Sequence, residues 1–279
     1  MAWAEGARRD LPWRRTRDPW AVLVSELMLQ QTQVARVVPK YQSFMDRFPT
    51  AAAAAAAPVA DVVRAWAGLG YNRRAVNLHR AATAIVDQHG GTVPNVLAEL
   101  LALPGIGPYT ARAVLAFAFE VDIGVVEVNS ARLLARAVAG RPLSPPQAQS
   151  LADDLVPAGQ GWAWNQAMLD LGATICSKAA PHCPACPLRP VCAWTAADQP
   201  APDPAIGSAG CGGTQSAFDG SDREGRGRLV GALRAAPVAL TELAAATGWP
   251  MEPDRAQRVA AGLVADGLAV VMGDILRLP

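Results

Sequence analysis

Leu103-Pro104-Gly105-Ile106-Gly107-Pro108-Tyr109-Thr110 lies between two segments of helical periodicity. Two glycines around one apolar residue allow a tight turn with outward-facing N–H groups, and a helix begins directly after it. Backbone donors at a helix N-terminus form an anion site suited to a phosphate. Taken alone, a Gly-x-Gly turn is also an ordinary interhelical connection, so its surroundings have to decide.

Outward from that turn, the pattern up to about residue 195 is helical throughout. Trp20–Val34, Val59–Trp66, Arg74–Gln88 and Val125–Val138 are amphipathic stretches broken by Gly, Pro and Asn, and no alternating strand interrupts them. Residues 196–220, rich in Pro, Gly, Ser and Ala, read as a linker. Beyond it, Arg226–Arg234, Leu240–Thr247 and Arg255–Leu268 read as three short helices. Ala269–Val271 and Ile275–Leu278 read as a hairpin around Gly273-Asp274.

The 279 residues are 51% hydrophobic and 18% charged, which excludes a disordered chain and fits two domains. No signal pattern opens the sequence and no apolar run is long enough to span a membrane, so a cytoplasmic protein is expected. The net charge of +1 does not by itself point to nucleic acid. From residue 196 onward seven arginines face ten acids, which leaves eighteen bases against fourteen acids before it. That distribution fits a DNA-facing body with an acidic tail, although codon bias toward arginine produces the same excess. Lys40 and Lys178 are the only lysines.

Four of the five cysteines, Cys176, Cys183, Cys186 and Cys192, follow a C-x6-C-x2-C-x5-C spacing; Cys211 stands apart. A chain this long and this poor in cysteine is no disulfide scaffold. Four thiolates so close in sequence can enclose a metal, and the spacing alone fits either zinc or a [4Fe–4S] cluster.

With the hairpin Leu103–Thr110 beside it, this cysteine loop resembles that of the endonuclease III and adenine glycosylase branch of the helix-hairpin-helix DNA glycosylases. The resemblance covers roughly residues 10–195. It implies an all-α, two-lobed helix-hairpin-helix glycosylase fold over residues 1–195, with an iron–sulfur loop at 176–192. A flexible linker (196–220) and a small winged-helix-like module (221–279) would follow. It also implies that the four cysteines hold a [4Fe–4S] cluster, structural and redox-linked, and that Gly105 and Gly107 grip DNA.

The resemblance extends to the chemistry. Where bifunctional relatives carry a Schiff-base lysine, this chain has Tyr109, whose phenol cannot form one, so base release without strand scission is expected. Removing a purine needs an acid for the leaving base and a negative charge for the sugar cation. Ser25-Glu26-Leu27-Met28-Leu29-Gln30-Gln31-Thr32-Gln33-Val34 resembles the adenine glycosylase signature in which the Glu protonates adenine at N7. In Val125-Val126-Glu127-Val128-Asn129-Ser130, Glu127 stands where the family has Asp, while Asn129 keeps the family residue. Leu11-Pro12-Trp13-Arg14 and Trp164-Asn165-Gln166-Ala167-Met168 also resemble the adenine branch, which implies that Trp13, Arg14 and Gln166 line the pocket of the extruded base. Gln30 or Gln31, with Tyr71 of Gly68-Leu69-Gly70-Tyr71-Asn72, become the wedge that enters the duplex.

About sixty residues after the linker are too few for the Nudix-related domain that ends most adenine glycosylases. Specificity for 8-oxoguanine is then expected to rest on the catalytic body, chiefly on the wedge residues. Three readings stay open: adenine removal opposite 8-oxoguanine or guanine, thymine or uracil removal opposite guanine, and a catalytically weak lesion-binding protein. All three make the partner double-stranded DNA with a mispair or lesion, bound by a nucleoid-associated monomer with no membrane role.

Overall fold

The computed structural model describes residues 2–209 and 217–279. They form two compact units interleaved in sequence: 2–22, 95–97 and 107–209 make the first, and 23–94, 98–106 and 217–279 the second. Helices dominate, and the sole sheet among the described residues is a small one near the C-terminus. No described helix is long and apolar enough to cross a membrane.

The helix Pro19–Leu29 is apolar except at Ser25 and Glu26, and Trp20, Leu23, Val24, Leu27 and Met28 are all buried. Such a helix is driven into a core rather than laid on a surface. The single helix expected over Trp20–Val34 ends at Leu29, because Gln31 adopts φ +54° and Gln33 is the extended cap of a second helix, Val34–Arg47. In the second unit the alanine tract Ala51–Ala56 forms a helix capped by Thr50, whose hydroxyl accepts from Ala53 N at 3.1 Å. Ala51 and Ala54 are buried, and their small side chains let this helix lie close against Arg73–His89.

The central hairpin forms as its sequence dictates. Gly105 takes φ +78°, and a Cβ there would lie 2.6 Å from Asn77 Cβ, so only glycine fits. Gly107 is the extended cap of the helix Pro108–Ala118, with proline at its first position. The helix expected from Val125 starts at Val128, because Glu127 caps it. It continues as a π-helical segment, Leu134–Ala139.

The C-terminal module holds the three expected helices, at Asp222–Ala235, Leu243–Thr247 and Pro253–Ala265. The hairpin Val270–Met272 with Ile275–Arg277 is also present, closed by Gly273 at φ +61°. A third strand, Val238–Ala239, pairs antiparallel with Ile275–Arg277 in the register Val238↔Leu276. Two residues are too short a run to read as a strand in sequence. The flexible linker expected from residue 196 needs correction in its first half. Asp203 pairs with Arg136, Ser208 Oγ accepts from Leu143 N at 3.1 Å, and Ala205 and Ser208 are buried. That stretch is a strap packed on the first unit, and Cys211 lies outside the described residues.

Candidate active site

Glu26 is 4% exposed in a helix whose buried neighbours are apolar but for Ser25. Burying a carboxylate costs several kcal/mol, roughly, when it is charged. A carboxyl kept in such a place is a candidate for proton transfer.

The second carboxylate belongs to the first unit. Glu127 is extended at φ −131° and caps Val128–Leu133. Its Oε1 accepts from Asn129 N at 2.8 Å and Ser130 N at 3.2 Å, and its Oε2 accepts from Asn129 Nδ2 at 3.2 Å. Ser130 Oγ closes the box by accepting from Glu127 N at 2.8 Å. Burial pushes the Glu127 carboxyl above the usual glutamate range, against the opposing pull of those hydrogen bonds. The longer side chain is thus accommodated by folding onto its own helix start.

Three residues without an assigned role in the sequence reading hold that helix start. Asn165, 2% exposed, accepts from Val125 N and donates to Ile123 O and Gly161 O, which fixes the strand-like approach to Glu127. Arg132 donates to Asn129 Oδ1 (2.7 Å), Gly172 O (2.6 Å) and Cys176 O (2.7 Å), linking the Glu127 cap to the first cysteine. Gly172 lies so close to Asn129 that a Cβ there would be 2.7 Å from its carbonyl oxygen.

Arg14 is buried and bidentate to Asp170, with Nη1 to Oδ2 at 2.7 Å and Nη2 to Oδ1 at 2.9 Å. Arg9 Nε adds a bond to Asp170 at 2.6 Å. Burial acts to raise the Asp170 pKa, but the two arginines hold its carboxyl below the usual range. This pair ties the Pro12–Arg14 turn, with buried Trp13, to the helix Gly161–Thr174 that carries Gln166 one turn before Asp170. Both terminal nitrogens of Arg14 are thereby committed to protein acceptors. Gln166 is 5% exposed, and its Oε1 has no hydrogen-bond partner among the described residues. A buried orphan amide oxygen is costly unless something arrives to donate to it. Tyr109, half-buried, sits in the first turn of Pro108–Ala118.

In the second unit Gln30, Gln31 and Tyr71 line one cleft of about 790 Å³. Gln31 and Tyr71 both have positive φ, +54° and +44°, and Tyr71 is 40% exposed. The cleft is shared with Phe218 and with Arg223 and Arg226 of the C-terminal module, a participation the sequence did not show.

Cys176, Cys183, Cys186 and Cys192 are all free thiols and line one small cavity, together with Leu133, Ile175 and Trp194. Arg136, in the π-helical segment, donates to Cys176 Sγ at 3.5 Å, and Gln199 donates to Cys183 Sγ at 3.2 Å. Burial, then mutual repulsion from the other three sulfurs, pushes the Cys186 thiol up. Among the described residues no group of His, Cys, Asp and Glu is placed to hold a metal ion. Four sulfurs lining one cavity are a donor set that suits either an iron–sulfur group or a zinc ion.

Residues 24–158 match the HhH-GPD superfamily of base excision DNA repair proteins. The chain is 40% identical over 278 residues to the adenine DNA glycosylase of Mycolicibacterium smegmatis, covering 98% of this chain and 92% of that protein. The chain belongs to the HhH-GPD superfamily. It is a base excision DNA glycosylase, a hydrolase of N-glycosyl bonds in DNA. The human adenine DNA glycosylase is 40% identical over 206 residues, 69% of this chain and 38% of the human one. A thermostable thymine-DNA glycosylase superposes with a TM-score of 0.65 at 28% identity, over 70% of this chain and 93% of that one. Endonuclease III in a non-covalent DNA complex gives a TM-score of 0.62 at 23% identity, over 71% of this chain and 94% of that one, which supports the shared HhH-GPD fold.

Proposed function

We propose that this HhH-GPD protein excises adenine mispaired with 8-oxoguanine or guanine and leaves the DNA strand uncut. The observation that carries the reading is Glu26, a carboxyl buried in an otherwise apolar helix. Its surroundings suit a group that holds a proton until a leaving base takes it. Glu26 gives that proton to N7 of the flipped adenine. The C1′–N9 bond then breaks with its electrons going to the base, and the sugar is left as an oxocarbenium ion. The Glu127 carboxylate supplies the compensating negative charge. Water adds to C1′ and passes its proton to the now ionised Glu26, which leaves an abasic site. The orphan Oε1 of Gln166 is an acceptor for the exocyclic amine of adenine, which thymine and uracil lack. The mycobacterial relatives, similar over nearly the whole chain, carry the adenine DNA glycosylase name.

Tyr109 offers no amine, so no covalent imine with the sugar forms. Gln31 and Tyr71 enter the duplex as the wedge, and Gly105 and Gly107 receive a phosphate. Cys176, Cys183, Cys186 and Cys192 are the ligands of a [4Fe–4S] cluster, which when bound adds a redox-active staple. The chain's own part is to close 176–192 onto the 132–139 segment through Arg132 and Arg136. Anaerobically purified protein is expected to hold about four irons, with absorbance near roughly 400 nm; one zinc and no iron overturns the cluster.

The deciding assay presents duplexes with A, T or U opposite 8-oxoguanine or guanine and cleaves abasic sites with alkali. Adenine release alone is expected, and borohydride should trap no enzyme–DNA adduct. Release of thymine or uracil in place of adenine transfers the reading to the thymine branch.

A further inference from the structure

Arg74, one residue into the helix Arg73–His89, is 7% exposed and lies in the same unit as the Gln30–Gln31 and Leu69–Tyr71 segments. All three of its guanidinium nitrogens donate, and six of the seven acceptors are main-chain carbonyls. Nη1 bonds Leu27 O (2.7 Å), Met28 O (2.9 Å) and Gln30 O (2.6 Å). Nη2 bonds Thr32 Oγ1 (3.0 Å), Leu69 O (3.2 Å) and Gly70 O (3.0 Å), and Nε bonds Tyr71 O (3.3 Å). The guanidinium also lies 5.4 Å from the Trp66 ring centre and 5.6 Å from that of Tyr71. No carboxylate stands within ion-pair distance of it among the described residues. Burial pushes its pKa down to about 10, so it stays charged at neutral pH.

A buried arginine without an acid partner is retained for what its donors hold. Here they join the C-terminal carbonyls of the helix bearing Glu26 to two loops. Each loop contains a non-glycine residue in the left-handed region, Gln31 at φ +54° and Tyr71 at φ +44°. That conformation is unfavourable for side chains with a Cβ and persists only where surrounding bonds impose it. The carbonyls of Gln30, Gly70 and Tyr71, at or next to those two residues, are the ones Arg74 binds.

We propose that Arg74 is the positioning residue of the wedge, holding Gln31 and Tyr71 as one rigid pair registered to the end of the Glu26 helix. Its cationic fork substitutes for the hydrogen-bond donors that a helix end and two strained loops lack. Lysine cannot replace it, because three donors on a mobile stem do not span seven acceptors on a helix end and two loops. The proposal rests on the wedge assignment above. It assigns Arg74 to the step that opens the duplex rather than to bond cleavage.

The test uses full-length Arg74→Lys with two substrates and one optical probe. One substrate has adenine opposite 8-oxoguanine; in the other, adenine is already bulged out without a partner. 2-Aminopurine at the target position reports extrusion by its fluorescence. Because the wedge must offset the cost of flipping, single-turnover excision from the paired duplex is expected to fall about tenfold or more. Excision from the bulge stays within about threefold, and the 2-aminopurine signal falls with the duplex rate. Equal losses on both substrates, with the optical signal kept, make Arg74 a structural residue only and overturn the proposal. An unchanged duplex rate overturns it as well. If Arg74→Lys does not fold, Thr32→Val, which removes one Nη2 acceptor, should show the same split at about threefold. Wild-type protein that releases no adenine refutes the adenine reading instead, while the 2-aminopurine signal still tests Arg74.

Discussion

The start of Val128–Leu133 and the end of Pro19–Leu29 are secured by opposite charges. At the first, the Glu127 carboxylate collects N–H donors from Asn129 and Ser130. At the second, the Arg74 guanidinium collects the carbonyls of Leu27, Met28 and Gln30. Both answer the same deficit, since a helix leaves its first N–H and last C=O groups unpaired and its ends carry opposite partial charges. They differ in what remains available. All three Arg74 nitrogens are committed to protein acceptors, so Arg74 can only hold. Glu127 accepts three bonds with about four lone-pair positions and keeps its negative charge, so it can cap a helix and still face a developing cation.

That contrast breaks first at the acid on the Arg74-capped helix. Glu26→Gln should lower single-turnover adenine excision by roughly 10²–10⁴-fold, the range for losing a general acid. Affinity for the lesion duplex should hold within about threefold, because the proton acts in the transition state. Excision within about tenfold of wild type removes Glu26 from the acid role.

On the other side, Glu127→Gln preserves length and loses charge. A loss of roughly 10²–10³-fold is expected in rapid-quench measurements. Glu127→Asp still caps the helix and should change the rate by less than about tenfold. A Glu127→Gln enzyme as fast as wild type means the sugar cation is stabilised elsewhere.

Gly172→Ala sharpens the comparison without touching either charge. Its Cβ would sit 2.7 Å from Asn129 O and displace the Glu127 cap. Shifts near 1 Å cost about a hundredfold when they reach the reacting groups. A drop of about ten- to a hundredfold is expected, with lesion binding intact. A wild-type rate shows that the cap tolerates movement.

The smallest effect is a displaced pH limb. Burial raises the Glu127 pKa, so its carboxylate protonates at a higher pH than an ordinary glutamate. Excision should be full above that raised value and decline as pH falls through it. The same sign means that Glu127 favours the folded state most at low pH, an advantage lost as pH rises through the folded-state pKa. A single-turnover profile whose acid limb lies within or below the usual glutamate range contradicts this.

Local pattern alone determined the hairpin Leu103–Thr110, the cysteine loop, the apolar helix around Glu26 and the three helices with a hairpin at the C-terminus. Each is written in spacing or periodicity within a few residues. The family resemblance marked Glu127 as a departure but could not say that its carboxylate folds back as a cap. Only the tertiary structure decided that Asp170 answers Arg14, that Asn165 fixes the approach to Glu127, that Gly172 admits Asn129, and that Arg74 joins two loops. These partners lie far apart in sequence (156 residues for Arg14 and Asp170, 40 for Val125 and Asn165), where no periodicity links them. The 203–209 strap misled for the same reason. Its Pro, Gly and Ala carry no amphipathic signal, and what pins it is a buried arginine 67 residues earlier, Arg136. A hydrogen-bonding need is visible in a residue type, but its satisfaction is a property of the folded chain.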